Sequence, residues 1–87
     1  MRRNNQEFQK KKNVILFIFG YTCQLCGVID SNNHVHHIDR DNGNNDVFNL
    51  VPLCANCHKF THKVHVNIEI EYSASLRDQL QFLALHF

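Results

Sequence analysis

Residues 34–62 read HVHHIDRDNGNNDVFNLVPLCANCHKFTH, and how this stretch folds decides how the rest of the chain is arranged. Residues 33–39 are rich in His, Val and Ile with partial alternation, and residues 47–53 are mostly apolar. Between them, residues 40–46 are Asp, Asn, Gly and one Arg, side chains that bond their own backbone and tolerate turns. The pattern predicts a β-hairpin with a loop longer than the common two-residue form. Pro52 cannot donate to a ladder, so it belongs at the end of the second strand or on an edge. From about Ala55 a helix is expected, because His58, Thr61, His62 and His65 then share one face.

The stretch also carries Cys54-Ala-Asn-Cys57, and upstream lies a second pair, Cys23-Gln-Leu-Cys26, inside Tyr-Thr-Cys-Gln-Leu-Cys-Gly. Two thiolates separated by two residues can hold one ion from a tight turn, which Gly27 can close with a positive φ. A structural zinc ion takes four ligands in a tetrahedron, and this chain offers four thiols and no others. Four cysteines in two such pairs indicate a structural Zn²⁺ site at Cys23, Cys26, Cys54 and Cys57 rather than two disulfides, given a reducing compartment.

Moving outward on the N-terminal side, Phe8, Ile15, Leu16 and Phe19 fall on one helical stripe, predicting a helix over 3–19 stopped at Gly20. The β-branched and aromatic run 14–19 would also suit a strand. Formal net charge is only +1, yet Arg2, Arg3, Lys10, Lys11 and Lys12 are five of the nine basic residues, so the average hides a basic arm. The apolar run 14–20 behind that arm is far short of the ~20 residues of a membrane span and has no small-residue cleavage site after it. No membrane association is expected, and the chain reads as cytoplasmic.

On the C-terminal side, residues 66–72 alternate as Val-Asn-Ile-Glu-Ile-Glu-Tyr, the pattern of a half-buried strand. Ser75-Leu-Arg-Asp78 resembles a capping box opening a last helix that buries Leu76, Leu80 and Leu83. The hydrophobic fraction of 44 % and charged fraction of 20 % are those of a globular chain. At 87 residues it is one domain, of a size that commonly needs a metal or disulfide staple.

Cys23-x-x-Cys26, His36-His37, Asn49-Leu50 and Cys54-x-x-Cys57-His58 together resemble the HNH endonuclease family over about residues 21–65. The basic helix 3–19 and the extension 66–87 lie outside the likeness. The resemblance implies an α+β fold: a ββα-metal finger, hairpin plus helix, with a structural zinc held by the four cysteines, an N-terminal helix and a C-terminal strand and helix. It implies that His37 is a general base and His36 a ligand of a catalytic divalent metal. By the same resemblance Asn49 holds the loop so that His37 is aimed correctly. His58, next to Cys57, is a further candidate ligand of that metal, and His62, one turn later on the same helix face, can join it as a third ligand or contact the phosphate.

Elementary chemistry agrees. Phosphodiester hydrolysis needs an activated water and a cation at the phosphate, and a neutral imidazole is the natural proton acceptor near pH 7. Side chains alternate along a strand, so His36 and His37 face opposite sides and cannot share one role. Many family members have an acidic residue at the position of His36; the nuclease colicins also carry a His-His pair. A nitrogen-rich site favours Mn²⁺, Ni²⁺ or Zn²⁺ over Mg²⁺.

The expected substrate is DNA, with Arg40, Lys59 and Lys63 and the basic arm Arg2, Arg3, Lys10, Lys11 and Lys12 as phosphate contacts. His34 shares the strand face of His36, and neither it nor His65 or His86 belongs to a motif. Nothing marks a dedicated recognition module, which leaves room for a homodimer or for a partner protein of phage or restriction origin. The other reading is a zinc-stapled module that binds nucleic acid or protein without cutting; it leaves the four histidines 36, 37, 58 and 62 without a task.

Overall fold

The structure, a computed structural model, describes residues 5–86, so Arg2 and Arg3 lie outside the described residues. Helix α1 (Asn5–Ile18) is followed by strand β1 (His34–His37), a 3₁₀ turn at Val47–Asn49, strand β2 (Leu50–Leu53), helix α2 (Ala55–Lys63) and helix α3 (Ala74–His86). The architecture is α+β, as expected.

The hairpin is antiparallel, with His34 opposite Leu53, Val35 opposite Pro52, His36 opposite Val51 and His37 opposite Leu50. Both strands are shorter than the apolar runs suggest. Asp46 caps the 3₁₀ turn by accepting from the Phe48 N–H, and this pulls residues 47–49 out of the ladder. Pro52 costs no ladder bond in a two-stranded sheet, and its carbonyl accepts from the Gln24 N–H at 3.1 Å.

Strand alternation sends the hairpin's side chains into two cores. Leu50 joins Ile15, Val47, Leu80 and Leu83, which tie the hairpin to α1 and α3. Val51 and Leu53 join Cys23 and Ile68, with Cys54 and Cys57 packed at the edge. Burying each Leu fully contributes about 2 kcal/mol. Helix α1 lies against the hairpin and α3, while α2 packs on the hairpin's other side. His36, opposite Val51, therefore faces α2, and His37, opposite Leu50, faces α1.

Residues 66–72 form no strand. Their alternation is real, with Ile68 buried, Val66 and Ile70 packed on the second core, and Asn67, Glu69 and Glu71 exposed. An extended segment can bury one face on a core without pairing its backbone, and this one does so. The cap of α3 also differs from the capping-box expectation. Ser73, not Ser75, accepts from the Leu76 N–H at 3.1 Å, and Asp78 lies beside Val14 and Phe82 in the α1–α3 groove. Among the described residues, no helix is long and apolar enough to cross a membrane.

Candidate metal centres and candidate active site

The first centre is built by two matching turns. After α1, Gly20 and Tyr21 both take positive φ (66° and 58°), reversing the chain into the segment that carries Cys23 and Cys26. Gly27, at φ 85°, closes that turn, as the sequence required. The Cys26 N–H points at Cys23 Sγ (3.5 Å) and the Cys57 N–H at Cys54 Sγ (3.4 Å), so each pair presents a sulfur that is already a hydrogen-bond acceptor. Asn33, a residue with no motif to mark it, locks the first turn: its buried side-chain amide donates to the Tyr21 and Val28 carbonyls at 3.0 and 3.2 Å.

The four Sγ atoms lie within 4.8 Å of one another, and none is in a disulfide. Cys26 Sγ and Cys54 Sγ are 3.7 Å apart. With Zn–S near 2.3 Å, two ligands of a tetrahedral zinc ion should be separated by ~3.8 Å, so the donor set fits that ion. Burial pushes the Cys23 thiol up, but backbone groups of Cys26, Cys54 and Leu25 outweigh it and bring it down to about 6. The Cys57 thiol is pushed up by burial and by its three sulfur neighbours. Sulfurs this close ionise together only with a cation among them.

Cys54 is also the N-cap of α2, its Sγ accepting from Cys57 N–H and its carbonyl from His58 N–H at 2.8 Å. The thiol cluster thus fixes the start and direction of the helix that carries His58 and His62. Across from them stands His36, only 4 % exposed. The His36 and His58 rings are 5.3 Å apart between centroids, His36 and His62 6.3 Å, and His58 and His62 4.7 Å. His58 Nε2 and His62 Nε2 are separated by 3.3 Å. With Zn–N near 2.0–2.1 Å, the edge of a tetrahedral nitrogen site is also ~3.3 Å, so this pair has the spacing of two ligands on one ion.

Burial holds His36 down to about 4, helped by His58, Arg40, His62 and His37, and burial with His62 and His34 also lowers His58. Both rings are therefore neutral near pH 7, the form that offers a lone pair to a metal. His34, which no motif included, stacks on His58 with ring centroids 5.2 Å apart. Its place two residues before His36 on the same strand face was the available signal.

A cavity of about 460 Å³ wraps round the end of β1 and is lined by His36, His37, His58, His62, Arg40 and Lys12. His37 reaches it from the opposite sheet face, with Phe8 of α1 packed 6.0 Å from its ring and Asn45 Oδ1 at 2.9 Å from its Nε2. Asn49 makes no hydrogen bond to His37. Its buried side chain holds the loop, donating to Asp39 Oδ1 (3.0 Å) and the Asn44 carbonyl (2.8 Å) and accepting from the Asp39 N–H (3.0 Å). Hydrogen bonds from the Asn44 side chain and the Asp41 N–H keep the Asp39 carboxyl below its usual range.

The basic residues divide. Arg40, in the left-handed region at φ 66°, donates to the Thr61 carbonyl near the C-terminal end of α2 at 2.6 Å and borders the cavity. Lys12 borders it from α1, with its Nζ 5.0 Å from the Phe8 ring centroid. Lys11 donates to the Asn45 carbonyl. Lys10, Lys59 and Lys63 are exposed and do not line the cavity.

Residues 23–64 match the HNH endonuclease family. A relative, Anaredoxin of Nostoc sp. (strain PCC 7120), is 29 % identical over 66 residues, which span 74 % of this chain and 87 % of that protein. No solved structure matches the chain. The matched segment begins at the first thiol of the zinc-type cluster, holds the paired histidines and Asn49, and ends just past α2. The likeness to the HNH endonuclease family therefore takes in both thiol pairs, the hairpin and α2, just under half of the chain.

Proposed function

We propose that the chain is a metal-dependent endonuclease that hydrolyses phosphodiester bonds in DNA. The observation that carries this reading is the meeting, in one cavity, of three imidazoles from β1 and α2 with a fourth, His37, from the opposite face of the same strand. His36, His58 and His62 would hold a divalent cation, which when bound supplies positive charge to the scissile phosphate and the leaving oxygen. The nitrogen donors favour Mn²⁺, Ni²⁺ or Zn²⁺ over Mg²⁺.

His37 takes a proton from water as the water oxygen bonds to phosphorus, and the bond from phosphorus to the leaving sugar oxygen breaks with its electron pair on that oxygen. Asn49 keeps the loop closed beneath His37. Lys12 and Arg40 stand at the rim where phosphate oxygens of a bound strand would pass, and exposed Lys10 extends the basic path along α1. The four thiols hold Zn²⁺ and keep α2 aimed at β1.

The test is incubation of the zinc-loaded protein with supercoiled plasmid and Mn²⁺, Ni²⁺ or Mg²⁺. Nicked or linear product is expected, most with the transition metals, and His37→Ala should slow cutting ~10²–10⁴-fold. Intact plasmid under all three metals, with DNA retained in a gel shift, would replace this reading by a stapled binding module.

A further inference from the structure

His37 has two nitrogens, and which one is free for chemistry is decided by its neighbours. Its Nε2 lies 2.9 Å from Asn45 Oδ1. An amide oxygen only accepts, so this contact is a hydrogen bond when Nε2 carries the proton and donates, and a neutral ring then has its lone pair on Nδ1. Asn45 is itself held: Lys11 of α1 donates to its backbone carbonyl, and the carbonyl of its neighbour Asn44 accepts from Asn49. One turn before Lys11 on α1, Phe8 packs beside the His37 ring. The ring is thus gripped by the loop on one side and by the N-terminal helix on the other.

We propose that Asn45 is a positioning residue that fixes His37 as the Nε2–H tautomer, so that Nδ1 receives the proton of the attacking water. This rests on His37 being the base of the hydrolysis proposed above. Asn49 then shapes the loop and Asn45 transmits that shape to the ring, two tasks for two asparagines. When Nδ1 gains the proton, Asn45 Oδ1 remains an acceptor for Nε2–H and steadies the cation that forms. Helix α1 becomes part of the site through Lys11, in addition to offering positive charge to a strand.

Two measurements test this on the full, zinc-loaded chain. Long-range ¹H–¹⁵N spectra of the histidine side chains should show the neutral His37 ring protonated at Nε2 in the wild type and a tautomer mixture in Asn45→Ala. In plasmid cutting, Asn45→Ala should lower kcat about 10- to 100-fold with KM nearly unchanged, and Asn45→Asp, which keeps an acceptor at that place, should recover most of the loss. A wild-type ring protonated at Nδ1, or one whose tautomer ignores Asn45→Ala, overturns the inference even if plasmid is still cut. Full cutting by His37→Ala with the tautomer as stated marks the other failure: the hydrolytic role of the ring falls, and the positioning role with it.

Discussion

Cys57 and His58 are consecutive residues of α2 that turn to different clusters of side chains: the Cys57 sulfur joins the four-thiol cluster and the His58 ring lies beside those of His36 and His62. Successive side chains on a helix are about 100° apart, so one backbone step turns from one group of donors to the other. The thiol cluster needs no imidazole to form, but the imidazoles depend on it, because Cys54 and Cys57 set where α2 begins.

That dependence predicts the effect of removing the staple. Zinc binding at such sites is worth ~10–16 kcal/mol, comparable with the whole ~5–15 kcal/mol stability of a domain. Cys57→Ser, or strong chelation of the wild type, should abolish the cooperative unfolding transition and most of the helical circular dichroism. One zinc per chain should be found in the native protein, and a native spectrum after chelation would contradict the role of the thiols.

The imidazole group should bind a second ion more weakly. Ni²⁺ or Mn²⁺ titrated calorimetrically into zinc-loaded protein should show one further site. His36→Ala and His62→Ala should each weaken it at least about tenfold, or ~1.4 kcal/mol, while leaving the thiol-bound zinc in place.

His36 also predicts a pH dependence. Its folded pKa of about 4 lies below its ordinary 6.5, chiefly through burial, so between these values the unfolded chain binds a proton that the folded chain excludes. Stability contributed by the neutral ring is present above about 6.5 and is lost as pH falls toward 4. Urea midpoints of zinc-loaded protein should fall across that window, and His36→Gln should fall less steeply.

Asn49→Ala removes three hydrogen bonds and leaves the Asp39 N–H and the Asn44 carbonyl without their partner. Loss of about 1–3 kcal/mol in stability is expected from denaturant unfolding. Asn45→Ala, at a less buried position, should cost clearly less stability, so the two asparagines separate by what they damage.

Arg40→Ala should both loosen α2, by losing the bond to the Thr61 carbonyl, and weaken DNA binding. Lys12→Ala should weaken DNA binding alone and lower the slope of log affinity against log salt by about 0.9. Binding isotherms at several salt concentrations, with a melting curve of each variant, check both.

Much of this was legible in the chain because the decisive features are short-range. The two Cys-x-x-Cys pairs dictate a four-thiol site by count and spacing, and the i, i+4 relation of His58 and His62 follows from helix geometry alone. Other features depend on what the chain meets after folding. The alternation of residues 66–72 reports one buried face but not whether a strand is available to pair with. Ser73 and Ser75 are equivalent as caps in sequence, and only the packing of Leu76, Leu80 and Leu83 decides where α3 starts. Asn45 lies in a loop of interchangeable Asx residues, and its contact with His37 depends on a clasp from α1 that is 34 residues away at Lys11.

The most direct measurement is anomalous diffraction from crystals of the zinc-loaded protein soaked in Mn²⁺. Two peaks are expected: zinc among the four sulfurs, and manganese between the rings of His36, His58 and His62, beside His37. A single peak at the sulfurs, with those rings turned away from one another at full Mn²⁺ concentration, would contradict the proposed two-centre arrangement and the proposed hydrolysis with it.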